Sequence, residues 1–270
     1  GYPVLNNGTS LNGLFDGTWN QVISNTYVTG LNHLFSYDSR TGTYSYDSDK
    51  NYAYYDIDAT RNTEKNFIVY ERSKDKGEGK RHVASFMPYS SWDDGASQNK
   101  FAFGMMISFD FLQPKNGKIN GQDMVFSFSG DDDVWVFIDG KLALDVGGAH
   151  GRVEGTLDFS GERAEKTAKV SSVKASAAEG EAGNAGTNKT TKFELTGSNE
   201  AEHTLTMFYM ERGMWESNMM IAFNFPDDNE FAVEKQVDTS EVNELFKDSF
   251  EDASVFPFTI QNQATHFGKM

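Results

Sequence analysis

The chain contains no cysteine, which excludes disulfides, thiol catalysis, iron–sulfur clusters and thiolate zinc sites. The redox compartment stays open. Long hydrophobic runs are also missing, since no stretch approaches the roughly 18 apolar residues of a membrane span. The chain opens at Gly1 with neither a charged n-region nor an apolar h-region, so any signal peptide or anchor is expected outside these residues. Basic residues are outnumbered: 24 Lys and Arg stand against 40 Asp and Glu, a net charge of -16. Nucleic-acid phosphates demand a basic face, and this balance argues against one. It favours solubility and cation binding instead.

What is present reads as globular, with 38% hydrophobic and 14% aromatic residues in a chain of 270. That length suits one large core or two modest ones, and all-β sandwiches often exceed two hundred residues as single domains. Residues 1–60 are rich in turn formers with short apolar groups, predicting loops and short strands. Tyr44, Tyr46, Tyr52, Tyr54 and Tyr55 either line a ligand groove or cover the core's edge. A short strand is expected over 67–70, followed by an exposed charged loop over 72–82. The clearest period follows, with Phe101, Phe103, Met105, Ile107, Phe109 and Phe111 alternating with less apolar neighbours, as in a long strand with one buried face. A turn over 114–121 leads to a second alternation at Met124, Phe126 and Phe128. Residues 160–192 lose their large apolar side chains and read as a mobile insertion or a polar hairpin. Strands resume at Phe193 and Leu195, at Leu205, Met207 and Tyr209, and at Ile221, Phe223 and Phe225.

The chain is organised around residues 130–151, GDDDVWVFIDGKLALDVGGAHG. Val134 to Ile138 is a five-residue apolar run of strand type, and Asp139-Gly140 carries the signal of a type I′ hairpin turn. In the return strand Leu142 and Leu144 are expected on the buried side, with Lys141, Ala143 and Asp145 opposite. Asp131, Asp132 and Asp133 then sit at a sheet rim on a stiff element. Three adjacent carboxylates repel one another, and holding them beside a core is costly unless something neutralises them. A hard cation fits that need, and a solvated acidic turn is the alternative. An EF-hand is excluded, because Trp135 falls where the third ligand belongs and no Glu follows at the right distance.

A second polar group lies at 211–218, ERGMWESN, with Glu211, Arg212, Trp215, Glu216 and Asn218. Trp215 is read either as a core plug or as a stacking platform for a sugar face. Pro226-Asp227-Asp228-Asn229 marks a boundary, after which Phe231, Val233, Lys235 and Val237 share a strand face. A lysine there either shifts its pKa downward, finds a partner, or snorkels at a strand edge. Another strand is expected at Phe256, Phe258 and Ile260. About forty residues are too few for an independent core, so 227–270 is expected to begin a further domain.

The stretch GDDDVWVFIDGKLALDVGGAHG, with FAFGMM upstream and HTLTMFYMERGMWESNMMIAFNF downstream, resembles the fibro-slime domain of the protective-antigen-type β-sandwich superfamily. The resemblance covers roughly 1–225. It implies an all-β, antiparallel β-sandwich over 1–226, with the insertion at about 161–192. It also implies a calcium ion held by two neighbouring aspartates joined by a cis peptide and by an Asn from a second loop, with two sugar hydroxyls completing the shell. On this chain the pattern falls on Asp131 and Asp132, with Asn218 in the second loop. Asp133 stands where many relatives have Gly, which leaves open which two aspartates bind. Trp215 and Glu216 are implied near the ligand. His150 in GGAHG is implied as a loop-fixing residue, and its imidazole suits softer metals better than calcium.

Residues 229–262 resemble the opening strands of a Cna-B-like domain of Gram-positive surface proteins. That resemblance makes Lys235 an isopeptide candidate whose Asn partner would lie beyond Met270. Together the resemblances imply a non-enzymatic, extracellular, cell-surface adhesin module that binds a glycan through calcium. The alternatives are a structural tip or stalk module without sugar binding, and a glycosidase using paired carboxylates. Adjacent aspartates do not face each other across a cleft, which weighs against the glycosidase.

Overall fold

A computed structural model of the chain describes residues 2–5, 7–16, 18, 33–55, 62–71, 86, 88, 103–131, 133–147, 151–172, 189–195, 201–211 and 217–225. Its described residues form one four-residue α-helix, α1 (Asn12–Phe15), a short 3-10 turn at Lys115–Gly117, and fifteen strands. The early strands are β1 (Ser36–Asp38), β2 (Thr43–Asp47), β3 (Asn51–Tyr55) and β4 (Phe67–Glu71). The central ones are β5 (Phe103–Leu112), β6 (Lys118–Ile119), β7 (Gln122–Asp123), β8 (Val125–Gly130), β9 (Asp133–Ile138) and β10 (Lys141–Val146). The last are β11 (Val153–Asp158), β12 (Glu165–Ser172), β13 (Lys189–Glu194), β14 (Glu202–Glu211) and β15 (Met219–Phe223).

Two antiparallel sheets make an all-β sandwich. One has seven strands in the order β1-β2-β15-β8-β11-β12-β13, the other four in the order β10-β9-β14-β5. The alternation expected from Phe103 onward is present: every second residue of β5, from Phe103 to Phe111, is buried. These side chains meet Phe126 and Phe128 of β8, Phe223 of β15 and Leu157 of β11 in a single core. Rings carry much of the packing, as where Phe109 stacks on Phe223 at 4.8 Å between centroids and Phe111 meets Phe225 at 4.7 Å. Four of the five tyrosines between 44 and 55 are buried, so they form core rather than a groove.

β9 is buried along its whole length. Val134, Val136 and Ile138 face the main core, while Trp135 and Phe137 join Leu11, Phe15 and Phe208 in a second cluster on the outer face of the four-stranded sheet. The apolar residues around α1 are therefore a cover for that face, which explains how a strand of unbroken apolar character avoids exposure. Asp139 and Gly140 both have positive φ, 50° and 74°, as a type I′ turn requires.

One expectation needs correction, and one pair of alternatives is decided. Leu142 is half exposed and Ala143 buried, because a bulge between Leu142 and Leu144 shifts the register and rotates the first residues of β10. For 160–192, where a mobile insertion or a polar hairpin is expected, the described residues take the second form: 165–172 and 189–194 are antiparallel paired strands, β12 and β13, that extend the seven-stranded sheet beyond β11. Small and polar residues suffice there because β13 is an edge: only Phe193 of that strand is buried, and its lysines and threonines face outward. The middle of that stretch, 173–188, lies outside the described residues. So do the loop 72–82 and everything after 225, including the domain boundary, the strands expected at 231–237 and 256–260, and Lys235.

Candidate functional site

Strand pairing brings distant parts of the sequence to one rim. β8 belongs to the seven-stranded sheet and β9 to the four-stranded one, so the acidic segment between them crosses from sheet to sheet. The segment between β14 and β15 makes the reverse crossing. Because β8 pairs with β15 and β9 with β14, the crossings lie side by side, with Gly130 opposite Met219 and Asp133 opposite Met210. A third crossing, 147–152, joins β10 to β11 at the same end, and Val153 pairs with Gly130 from its other side. Gly130 is required there, since a Cβ would overlap the carbonyl oxygen of Asn218 and come within 2.7 Å of the Phe128 ring.

Asp131 and Asn218 are locked together. The Asn218 backbone N–H donates to Asp131 Oδ1, and its side-chain Nδ2 donates to Asp131 Oδ2 at 2.9 Å. Asp131 N–H in turn donates to the Asn218 carbonyl at 3.3 Å. Asp131, Asp133 and Asn218 are 7%, 2% and 2% exposed, so two carboxylates and an amide are withdrawn from water within one small region. Such burial is costly without compensation, and the Asn218 donors supply part of it for Asp131.

Neighbouring contacts stiffen the second crossing. Ser217 Oγ donates to the Phe86 carbonyl at 2.7 Å and lies 3.0 Å from the Tyr209 hydroxyl, which also donates to Glu211 Oε2 at 3.3 Å. Phe86 N–H donates to the Ser217 carbonyl. Ser48, in the turn between β2 and β3, holds Met219 through both its N–H and its Oγ. The residues from 217 to 219 are thus fastened by four separate segments of the chain, at 48, 86, 131 and 209.

Of the residues singled out by sequence, the fold joins Asp131 to Asn218 by hydrogen bonds, and Asp133 is buried two residues on, at the start of β9. Asp132, His150, Trp215 and Glu216 lie outside the described residues, as does the peptide joining Asp131 to Asp132. Among the described residues no group of three or more His, Asp or Glu side chains is arranged to hold a metal ion. The donors available for a cation are the carboxylates of Asp131 and Asp133 and the amide oxygen of Asn218. They are all hard oxygens, and two of their buried atoms, Asp133 Oδ2 and Asn218 Oδ1, accept no hydrogen bond. In donor type this set fits calcium.

Sequence reasoning missed Ser48, Asp49, Arg152 and Ser217. Arg152 is held by a two-pronged ion pair to Asp49, at 2.7 and 2.8 Å, which raises its pKa, with smaller contributions from the charges of Asp131 and Asp47. Its position directly after GGAHG was the available signal, together with the turn-forming Asp47-Ser48-Asp49 run.

No family model and no solved structure matches the chain. Segments of it are similar to curated proteins of Dictyostelium discoideum. Protein psiF is 44% identical over 68 residues, which is 25% of this chain and 9% of psiF. Protein psiG is 41% identical over 78 residues, 27% of this chain and 11% of psiG. Protein psiP is 44% identical over 55 residues, 20% of this chain and 7% of psiP. The matches thus span about a tenth or less of each relative's length.

Proposed function

We propose that this chain is a calcium-dependent carbohydrate-binding module of a cell-surface adhesin, with its site at the rim where the sheet crossings meet. The observation that carries this reading is the buried junction of Asp131 with Asn218, which the fold joins by hydrogen bonds across 87 positions of sequence, with a further buried carboxylate, Asp133, two residues along the chain from Asp131. Asp131 and Asn218 would hold the ion, with Asp132 or Asp133 as the second carboxylate. Bound calcium would supply open coordination positions for two neighbouring hydroxyls of a sugar. The protein's own part is to keep those donors fixed and partly dry, and Trp215 would offer a ring face to the sugar.

Titration calorimetry of the chain with calcium, followed by a glycan array read with and without chelator, tests this directly. Calcium binding and a chelator-sensitive glycan signal are expected, both abolished in Asp131→Ala. Saturating calcium at about 100 times its Kd should add about 2.7 kcal/mol of stability. A chain that binds no calcium in calorimetry and melts identically with and without it would refute the metal site.

One observation favours the structural alternative. Both carboxylate oxygens of Asp131 already accept hydrogen bonds from Asn218, so the pair also suffices as a clamp between two loops. If calcium binds but no glycan does, a structural tip or stalk module is the better reading.

A further inference from the structure

The segments of the rim are joined in a closed ring of contacts. Val153 pairs with Gly130, which directly precedes Asp131. Arg152, one residue before Val153, grips Asp49 through Nη1 and Nη2. Asp49 follows Ser48, whose N–H donates to the Met219 carbonyl at 2.9 Å and whose Oγ accepts the Met219 N–H at 3.0 Å. Met219 follows Asn218, and Asn218 closes the ring on Asp131. The turn in the middle of this ring is itself braced. Asp47 Oδ1 accepts the Asp49 N–H at 2.9 Å, and Asp47 Oδ2 pairs with Lys50 at 2.7 Å.

We propose that the Asp49–Arg152 pair, acting through Ser48, is a positioning element that sets where Asn218 stands relative to Asp131. The proposal rests on the calcium reading where it concerns cation affinity, and on the contacts alone where it concerns the placement of Asn218. Exposed ion pairs contribute about 0–1 kcal/mol to stability, so stability alone gives little reason for a two-pronged geometry here. Its value is geometric. The pair connects the two sides of the rim that carry the donors, and the planar guanidinium fork fixes orientation as well as distance. Groups that orient metal ligands typically change metal affinity by about 10–100-fold when removed.

Removing Arg152 alone would confuse two effects, because an uncompensated Asp49 beside the rim would attract cations by its charge. The informative variant is therefore Asp49→Asn combined with Arg152→Gln, which leaves the pair's net charge at zero. In the full chain this variant should bind calcium about tenfold more weakly by calorimetry. In chelator, hydrogen exchange at the Asn218 and Met219 amides should be faster than in the parent, while amides of β5 such as that of Ile107 keep their rate. Ser48→Ala should reproduce the faster exchange. Unchanged affinity together with unchanged exchange at 218 and 219 would overturn the proposal. Equal acceleration at Ile107 would also overturn it, since the pair would then support the whole sandwich. If the parent binds no calcium yet the exchange pattern appears, the calcium reading falls and the positioning role stands.

Discussion

At the rim the sandwich buries the Asp131 carboxylate against the amide groups of Asn218, with the Asp133 carboxylate buried two residues on, whereas at the opposite end it buries an ammonium against carbonyls. There Lys166 of β12, 4% exposed, donates from Nζ to the Gly161 carbonyl at 2.6 Å and to that of Ser160 at 3.4 Å. The same far loop takes a hydrogen bond from Gln113 Nε2 to the Phe159 carbonyl at 3.2 Å and gives one from Gly161 N–H to the Asn116 carbonyl at 2.8 Å. Both ends contain buried amide oxygens that accept no hydrogen bond: Asn218 Oδ1 at the rim, and Gln113 Oε1 and Asn116 Oδ1 at the far end. Such atoms therefore do not by themselves mark a cation site. The sign of the nearby buried charge separates the two ends, since carboxylates attract a cation and the Lys166 ammonium repels one.

The sharpest way to break the comparison is to disturb the close backbone approach on which each end depends. A Cβ on Gly130 would overlap the Asn218 carbonyl, and a Cβ on Gly117, which has φ +59°, would overlap the Phe159 carbonyl. Because backbone rather than a flexible side chain must move, each Ala variant should lose about 3 kcal/mol or more in urea unfolding. Gly130→Ala should also abolish the proposed calcium binding, while Gly117→Ala, if still folded, should retain it. Equal loss of calcium binding in both would mean that the two ends are not independent.

Removal of a buried polar side chain sharpens the contrast at a smaller scale. Asp131→Ala leaves the Asn218 N–H and Nδ2 without their charged acceptor and should cost about 3 kcal/mol in chelator, because bonds to charged groups contribute about 1.5–3 kcal/mol each. Gln113→Ala removes two neutral bonds, to the Phe159 carbonyl at 3.2 Å and a long one to the Pro114 carbonyl at 3.5 Å, and one buried oxygen that has no partner, and should cost about 1 kcal/mol. Urea unfolding of both variants in chelator checks the order. An Asp131→Ala loss no larger than that of Gln113→Ala would mean that the rim carboxylate is not held as the contacts indicate.

Much of the sandwich was legible because its signals are local. The period of two in β5 and the Asp139-Gly140 turn each depend on neighbouring residues, and both appear as expected. Legibility ended where a residue's environment is set by a distant strand. The bulge that exposes Leu142 is a property of the β9–β10 pairing, and the place of β12 and β13 in the sheet depends on β11. At the site, the acidic run and Asn218 were readable as polar islands among apolar strands. Ser48 and Arg152 were not, because a serine in a turn and an arginine after a glycine-rich loop acquire meaning only when β2 and β11 flank β15 and β8.

The smallest predicted effect is at the far end and follows from the sign of its charge. Burial lowers the pKa of Lys166 below the ordinary lysine value of 10.5, and the nearby Asp158 charge opposes that shift. Between the lowered value and 10.5 the unfolded chain binds more protons than the folded one, so this group makes stability rise with pH across that window. Below the lowered value its destabilising effect is fully present. Lys166→Met keeps an unbranched chain of similar length and removes the charge, so the parent should gain stability relative to the variant as pH is raised from neutral towards 10.5. Urea unfolding of both proteins at pH 7 and pH 10 measures the change, expected to be at most about 1 kcal/mol because the carbonyl contacts of the ammonium offset part of the burial cost. A pH-independent difference would mean that burial does not perturb this amine. Calcium should leave the difference unchanged at either pH, since the end that carries Lys166 contains none of the rim's donors.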